Sequence, residues 1–456
     1  MINRLGKNAV VIGGSLAGLV TARALSDHFD QVTILERDII EDRPALRKST
    51  PQGNHLHALL LGGQQVLSSF YPGFTDKLVS LGAVPIRAGI EVVYYLPNSK
   101  AYTLTGTVRE PRDLGFDNYA QSRSLLEYCV RQMTLAISNI RLLSGVSVND
   151  LIYEAGRVQG LRYSIEGDLH QIDADLVVDA SGRGSRTPRW IADLGFDSPE
   201  ETNIGVDFAY ASTKFAIPDH YDEPERLMGF FGPPPHYSSC AYMEEIEGGV
   251  WHVSLGGRFG DYPPGDEAGF LEFTRSLPSP RLYELIKDAR RVADITQHRF
   301  PTSVQRHYER LTRFPEGFLV IGDAICSFNP IYGQGMSSAA LQVQALHQLF
   351  NNRAANGDNL EGLALDFFPR AAQVIATPWT LAAAFDLAYP QTRGTRTPEM
   401  AENSQYFAGV NALAAEDIEV HRRLAEVLYL ARPLTDLWEE PLRSRVVSNM
   451  PRQATA

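Results

Sequence analysis

The first forty residues constrain the architecture of this chain more than any other stretch. Asn8-Ala9-Val10-Val11-Ile12 is a short apolar strand that runs straight into Gly13-Gly14-Ser15-Leu16-Ala17-Gly18. Leu16 to Phe29 follows with helical spacing, and Leu16, Val20, Ala24 and Leu25 share one face. Gln31 to Leu35 is a second apolar strand, ending in Glu36. In that order the pieces make a βαβ unit whose glycine turn aims helix N-terminal amides at a phosphate. Against G-x-G-x-x-G, Gly13 and Gly18 take the first and third places, and Ser15 replaces the second glycine. Gly13 suits the tight turn and Gly18 the close packing of helix on strand. Ser15 adds a side chain where backbone normally approaches phosphate, though its hydroxyl can itself donate to a phosphate oxygen. Glu36 lies 18 residues beyond Gly18, near the ~20 expected of an acid that binds an adenosine ribose. A glycine turn alone is an ordinary turn; the ordered strand, helix, strand and acid favour dinucleotide binding.

Two further segments carry a similar signal. Gly317 to Ile321 reads as a buried strand and Ser337 to Gln342 as the start of a helix. Between them, Gly322 to Met336 (GDAICSFNPIYGQGM) supplies Asp323 for a sugar or polyol hydroxyl. Gly333 and Gly335 let bare amides and a helix N-terminus face an electron-rich group. Ala174 to Val178 reads as another strand, followed by Asp179-Ala180-Ser181-Gly182-Arg183-Gly184-Ser185. The three segments together resemble the FAD-dependent aromatic hydroxylase (group A flavin monooxygenase) superfamily. Pro51 to Leu60 (PQGNHLHALL) and Ser327 to Tyr332 (SFNPIY) are most similar to its polyketide and terpenoid epoxidase branch.

The resemblance implies that Gly13, Ser15, Gly18 and Glu36 hold the ADP half of FAD, with Arg37 near the adenine. Arg123, in Ser122-Arg123-Ser124-Leu125-Leu126-Glu127, matches a cofactor-contacting arginine. Asp179 and Gly182 belong to the FAD and nicotinamide region. Gly322 and Asp323 take the ribityl chain, and Pro330, Gly333, Gly335 and Met336 border the flavin ring. Ile325-Cys326 departs from the Ala-His of many relatives, which removes any role that histidine carries. The implied reaction inserts one oxygen atom of O₂, through a C4a-hydroperoxyflavin, into a bulky apolar natural-product-like substrate by epoxidation or hydroxylation. Pro330, Gly333 and Gly335 form the catalytic environment, with no side-chain base. That a cofactor carries the hard step suits a chain with no evident nucleophile or metal cluster. Two alternatives stay open: an FAD-dependent C=C reductase or dehydrogenase without oxygen insertion, and FAD as a structural prop. Halogenases share this fold, but their W-x-W-x-I-P motif is matched by neither Trp190-Ile191 nor Pro378-Trp379. No second glycine-rich βαβ unit is evident, so NAD(P)H acts as a transient reductant or a separate flavin reductase supplies electrons.

The expected fold is mixed α/β (α+β). A Rossmann-like FAD-binding domain comes from 1–90, 118–200 and 300–345. A mostly antiparallel substrate-binding sheet comes from 91–117 and 201–299, and a helical C-terminal cap from 346–456. Glu91 to Leu96 and Ala101 to Leu104 read as a hairpin around Pro97-Asn98. Phe208, Tyr210, Phe230, Phe231, Tyr242 and Trp251 are the candidate substrate wall, although aromatics at strand spacing serve equally as core. His55 and His57 would share a face on a strand, to orient a polar loop or to touch flavin or substrate. Arg47-Lys48 is a solvated basic spot or a partner for a cofactor phosphate.

A chain of 456 residues suits two joined domains, since single cores stop growing near ~250–300 residues. The net charge of −12 argues against a nucleic-acid partner and against attraction to anionic membranes. No apolar run has the length of a signal or membrane segment. Cys129, Cys240 and Cys326 are scattered, so neither a disulfide framework nor a metal site is expected, and a reduced, cytoplasmic setting is.

Overall fold

The computed structural model describes residues 4–449. Its first layer is a five-stranded sheet in the order Phe318–Val320, Leu176–Asp179, Gly6–Ile12, Phe29–Glu36 and Ile140–Ser144. Every neighbouring pair is parallel. Such a sheet is covered on both faces, which is why its strands read as unbroken apolar runs rather than alternations. Helix Leu16–Ser26 packs beside it, three residues shorter than its spacing suggests because Phe29 already opens the next strand. The long helix Gly335–Asn356 buries Val343, Leu346 and Phe350 in the same core as the sheet. Helix Leu363–Asp386 adds Phe367, Phe368 and Ile375 to it. These two helices thus carry the nucleotide-domain core past residue 345, into the segment expected to be a separate cap.

The second layer is a seven-stranded sheet in the order Thr296–Phe300, Phe208–Ala216, Val250–Arg258, Cys240–Ile246, Leu227–Phe230, Val92–Leu96 and Ser99–Ala101. Its pairings are antiparallel except between Leu227–Phe230 and Val92–Leu96, which run parallel. The hairpin between Val92–Leu96 and Ser99–Ala101 turns through Pro97-Asn98, with Asn98 left-handed at φ 57°.

Register decides which side chains meet the nucleotide layer. Successive strand residues face opposite sides, and Tyr210, Gly256 and Cys240 stand in one row while Ser212, Ser254, Tyr242, Gly229 and Tyr94 stand in the next. Phe208 opposes Arg258 on that same face. The intervening residues Phe215, Met228, Phe230, Met243, Trp251 and Val253 point the other way. There they form a separate core with Phe270, Leu282 and Ile286. Phe230 and Trp251, expected in the substrate wall, are therefore core residues behind the sheet.

The chain closes with helices Pro398–Glu416, Ile418–Leu428 and Leu442–Asn449, packed through Val410, Leu413, Leu424 and Val446. Among the described residues no helix is long and apolar enough to cross a membrane.

Candidate active site

The two layers and the C-terminal helices enclose one large cavity of about 1060 Å³. At its first end lies the glycine turn. Gly13 has φ +103°, and a Cβ there would lie 2.7 Å from the Ala180 carbonyl oxygen. A Cβ on Gly18 would lie 1.8 Å from the Gly13 carbonyl oxygen, so helix and turn meet only through a glycine. Gly18 is thus a packing residue, whereas Gly13, Ser15, Glu36 and Arg37 line the cavity.

Behind this turn lies a buried charge network. The Glu36 carboxylate accepts from the Gly14 amide at 2.7 Å and the Asp38 amide at 2.9 Å. It pairs with Arg47 at 3.0 Å, and Arg47 reaches Glu127 at 2.7 Å. Glu127 also accepts from the Ser15 hydroxyl at 2.9 Å and pairs with Arg123 at 2.9 Å. Burial opposes ionisation of Glu127, yet Arg123 and Arg47 hold its pKa below the ordinary value. Arg123 donates to Ser15 Oγ at 2.8 Å, lines the cavity, and keeps its Nη1 buried without a partner. Arg47 is a member of this network rather than a solvated spot, and Lys48 lines the cavity.

The middle segment divides its labour. Asp179 is wholly buried and accepts from the Ser181 amide at 2.9 Å, and from the Ser185 and Thr187 hydroxyls at 2.6 Å each. It shapes the loop and does not reach the cavity, whereas Gly182 and Arg183 do. Gly322 likewise works through its backbone, with φ +70° and its amide on Gln342 Oε1 at 2.9 Å. Asp323 lines the cavity. Enclosure raises its pKa from 3.8 to about 6, against the pull of Arg183 and Arg123. Cys326 is buried in a short strand beside Gln305, and burial pushes its thiol well above the ordinary value.

The loop from Asn329 to Gly335 brings Pro330, Gly333, Gly335 and Met336 to the cavity. Gly333 is left-handed at φ +63°, and a Cβ there would approach Ala58 to 3.0 Å. The loop is held from the C-terminal side. Asp386 Oδ1 accepts from Asn329 Nδ2 at 2.9 Å, the Tyr332 hydroxyl at 2.7 Å and Arg258 Nη1 at 2.9 Å. Arg258 itself sits over the rings of Tyr389 and Phe208, 4.8 and 5.2 Å from their centroids. No local motif announces this group; its members are brought together only by the fold.

His55, His57 and Tyr210 form the neighbouring wall. His55 Nδ1 shares a hydrogen bond with Ser212 Oγ at 2.7 Å, and Ser212 with Ser254 at 2.6 Å. The His55 ring meets Tyr210 edge-on at 4.2 Å. Burial lowers His55 to about 3, with His57 and His298 adding to it, and burial and Arg123 lower His57 to about 4. Both imidazoles are neutral at pH 7 and too weakly basic to take up a proton there. They shape the wall.

The remaining chamber is aromatic and aliphatic. Phe208, Tyr210 and Tyr242 line it; Phe231 stands behind Tyr242, with centroids 5.0 Å apart, and does not. A Cβ on Gly256 would lie 2.3 Å from the Phe208 ring, and one on Gly229 2.7 Å from Tyr94, so bare backbone lets these rings lie against the sheet. Tyr94, Leu381, Phe385, Leu424, Leu428 and Tyr429 complete the walls. A helical C-terminal region is expected from the sequence, but nothing in the spacing of Ile418–Leu428 says that it faces a ligand.

This donor set fits FAD. An acid at the end of the second strand suits a ribose, and an arginine with a spare buried donor suits a pyrophosphate. A carboxylate in the cavity suits a polyol, and the glycine loop before a helix suits the electron-rich edge of a ring.

Known proteins agree with the geometry. No family model matches the chain. Protein Rv3254 of Mycobacterium tuberculosis is 33% identical over 403 residues, covering 85% of this chain and 82% of that protein. Squalene epoxidase 2, mitochondrial, of Arabidopsis thaliana is 22% identical over 75% of this chain, which spans 54% of the epoxidase. Digeranylgeranylglycerophospholipid reductase 2 of Methanopyrus kandleri is 25% identical over 73% of this chain and 74% of its own length. Among solved structures, the flavin-dependent brominase Bmp2 superposes with a TM-score of 0.69 at 14% identity, covering 97% of this chain and 98% of the brominase. With the glycine turn, Glu36 and the Gly-Asp loop all converging on one cavity, the chain belongs to the FAD-dependent group A flavin monooxygenase superfamily and is an FAD-dependent oxidoreductase.

Proposed function

We propose that this protein is a monooxygenase that inserts one oxygen atom of O₂ into a bulky, mainly apolar natural-product-like molecule, by epoxidation or hydroxylation. The observation that carries the reading is the shared cavity: the Pro330–Gly335 loop opens directly onto the aromatic and aliphatic chamber. Glu36 and Arg123 bind the ADP half of FAD, Asp323 its ribityl chain, and the loop amides the edge of the ring. Bound FAD, once reduced, supplies the oxygen-activating chemistry. The protein's own part is to hold the substrate over the loop, exclude water and present fixed backbone dipoles where charge develops. Phe208, Tyr210 and Tyr242 serve as walls for the substrate. The neutral imidazoles of His55 and His57 suit oxygen transfer to an alkene, which needs no base, better than deprotonation of a phenol. Electrons come from NAD(P)H bound transiently or from a separate reductase.

The reductase of Methanopyrus kandleri among the relatives favours a second reading, reduction of a C=C bond without oxygen insertion. Turnover of a panel of terpenoid alkenes and polyketide aromatics under ¹⁸O₂ separates the two. The oxygenase puts one ¹⁸O atom in the product and stops without O₂. Full conversion under anaerobic conditions would assign the reductase instead.

A further inference from the structure

Away from the flavin-facing loop, the cavity continues along the seven-stranded sheet to its hairpin edge. From the strand Val250–Arg258, which meets the loop, to the strand Val92–Leu96 is three strand spacings, about 14 Å. That far end holds a group of polar side chains with no part in cofactor binding. Tyr94 and Tyr242 lie in one row of the sheet, each opposed to Gly229. Tyr429 arrives from the end of helix Ile418–Leu428, with its hydroxyl beside the Tyr94 hydroxyl and the Asn118 carboxamide. All three tyrosines line the cavity. Burial raises each phenol above its ordinary pKa, and their proximity to one another adds to the rise for Tyr94 and Tyr242. They are neutral hydroxyls, each able both to donate and to accept.

Earlier on the same helix, His421 also lines the cavity and is only 1% exposed. Burial, with Arg112 acting in the same direction, lowers its pKa to about 4, and the Tyr102 backbone supports one ring nitrogen. Its Nδ1 is buried without any partner. A neutral imidazole offers one donor and one acceptor nitrogen. A buried polar atom left unpaired is costly, so an occupant that pairs with Nδ1 is favoured.

No charged residue lines this end. The lining residues contributed by the hairpin and the C-terminal helices are apolar or neutral, among them Val92, Leu114, Leu424 and Leu428. Arg112, the cation that acts on His421, spends its guanidinium on the carbonyl oxygens of Ala414 and Ala415.

We propose that the substrate is an apolar molecule carrying a neutral oxygen function, a hydroxyl or carbonyl, at the end remote from the flavin, seated by Tyr94, Tyr242, Tyr429 and His421. The proposal rests on the reading of this cavity as the substrate site, and it narrows the substrate class. A pure hydrocarbon leaves His421 Nδ1 without a partner. A carboxylate finds no counter-ion among them.

The test uses FAD-loaded protein and three probes of one ring system: 2-naphthol, naphthalene and 2-naphthoate, each titrated by its own fluorescence. The site described here binds 2-naphthol at least about tenfold more tightly than either naphthalene or 2-naphthoate. The Tyr94→Phe/Tyr429→Phe variant loses that preference through weaker naphthol binding, with naphthalene affinity within about twofold of wild type. Equal affinities for naphthol and naphthalene in the wild-type protein overturn the proposal, as does binding of none of the probes or a preference that survives in the variant. The wild-type comparison needs no variant to fold. Absence of ¹⁸O from product would sink the oxygenase reading and leave this preference standing, whereas equal probe affinities would do the reverse.

Discussion

At Asp323, stability and cofactor binding pull in opposite directions. Enclosure in the cavity raises its pKa from 3.8 to about 6, and Arg183 and Arg123 offset only part of that rise. A carboxyl whose folded pKa lies above its unfolded value contributes stability fully present below pH 3.8 and lost as pH rises through about 6. The difference of about two units makes ionised Asp323 a liability of roughly 3 kcal/mol in the cofactor-free protein at pH 8. At pH 4 the liability is under about 1 kcal/mol, because the side chain is protonated in the fold and half-protonated when unfolded. Asp323→Asn keeps the shape and removes the charge. The FAD-depleted variant should therefore be more stable than wild type by up to about 3 kcal/mol at pH 8, with the gain nearly gone at pH 4. The same change takes a charged acceptor from a ribityl hydroxyl, at a cost of about 1.5–3 kcal/mol, or roughly ten- to a hundredfold in FAD affinity. Urea unfolding followed by tryptophan fluorescence measures the first effect, and titration with FAD at pH 8 the second. A variant less stable than wild type at pH 8, a gain independent of pH, or an unchanged FAD affinity would refute this account of Asp323.

Two further substitutions probe the charge networks. Glu36→Arg removes the ribose acceptor and sets a cation where Arg47 now pairs at 3.0 Å, so the purified protein should hold less than about a tenth of the wild-type flavin. Protein as yellow as wild type would show that Glu36 does not hold the cofactor. Asp386→Ala strands Arg258, whose side chain is 5% exposed, and should cost about 3–5 kcal/mol in denaturant unfolding. The apolar pair Arg258→Met/Asp386→Leu should recover most of that loss, and equal losses in the two variants would show that the buried charge is not what matters.

The nucleotide-binding layer was legible because its local signals agree. Apolar strand, glycine turn, helix and acid each point to the same parallel βαβ unit, and the elements fall within three residues of their expected ends. The second sheet was legible as strands but not as a wall. Both of its faces are covered, one by the cavity and C-terminal helices and one by Phe270, Leu282 and Ile286, so apolar and aromatic residues occur on both. In such a sheet alternation no longer separates inside from outside. Phe208, Tyr210 and Tyr242 reach the cavity while Phe230 and Trp251 do not, and only the pairing register distinguishes them. The trace left in the sequence is Gly229 and Gly256, whose missing side chains make room for the rings of Tyr94 and Phe208.

The site residues that escaped notice share a cause. Arg123 and Glu127 lie four apart on one helix, a spacing that can be read directly. Arg258 and Asp386 meet across 128 residues and Tyr94 and Tyr429 across still more, with no periodicity to link them. Yet these distant partners give the C-terminal region its place in the site. Asp386 grips Asn329 and Tyr332 on the Asn329–Gly335 loop, while Leu381 and Phe385, from the same helix, touch the chamber. Ile418–Leu428 and the residue that follows it supply His421, Leu424, Leu428 and Tyr429 to the far end. The C-terminal helices are therefore a third wall, bound by hydrogen bonds to the Asn329–Gly335 loop and by side chains to the aromatic chamber. A substitution there acts on the site itself, and Asp386 and Tyr429 separate the two effects, loop position in one case and substrate choice in the other.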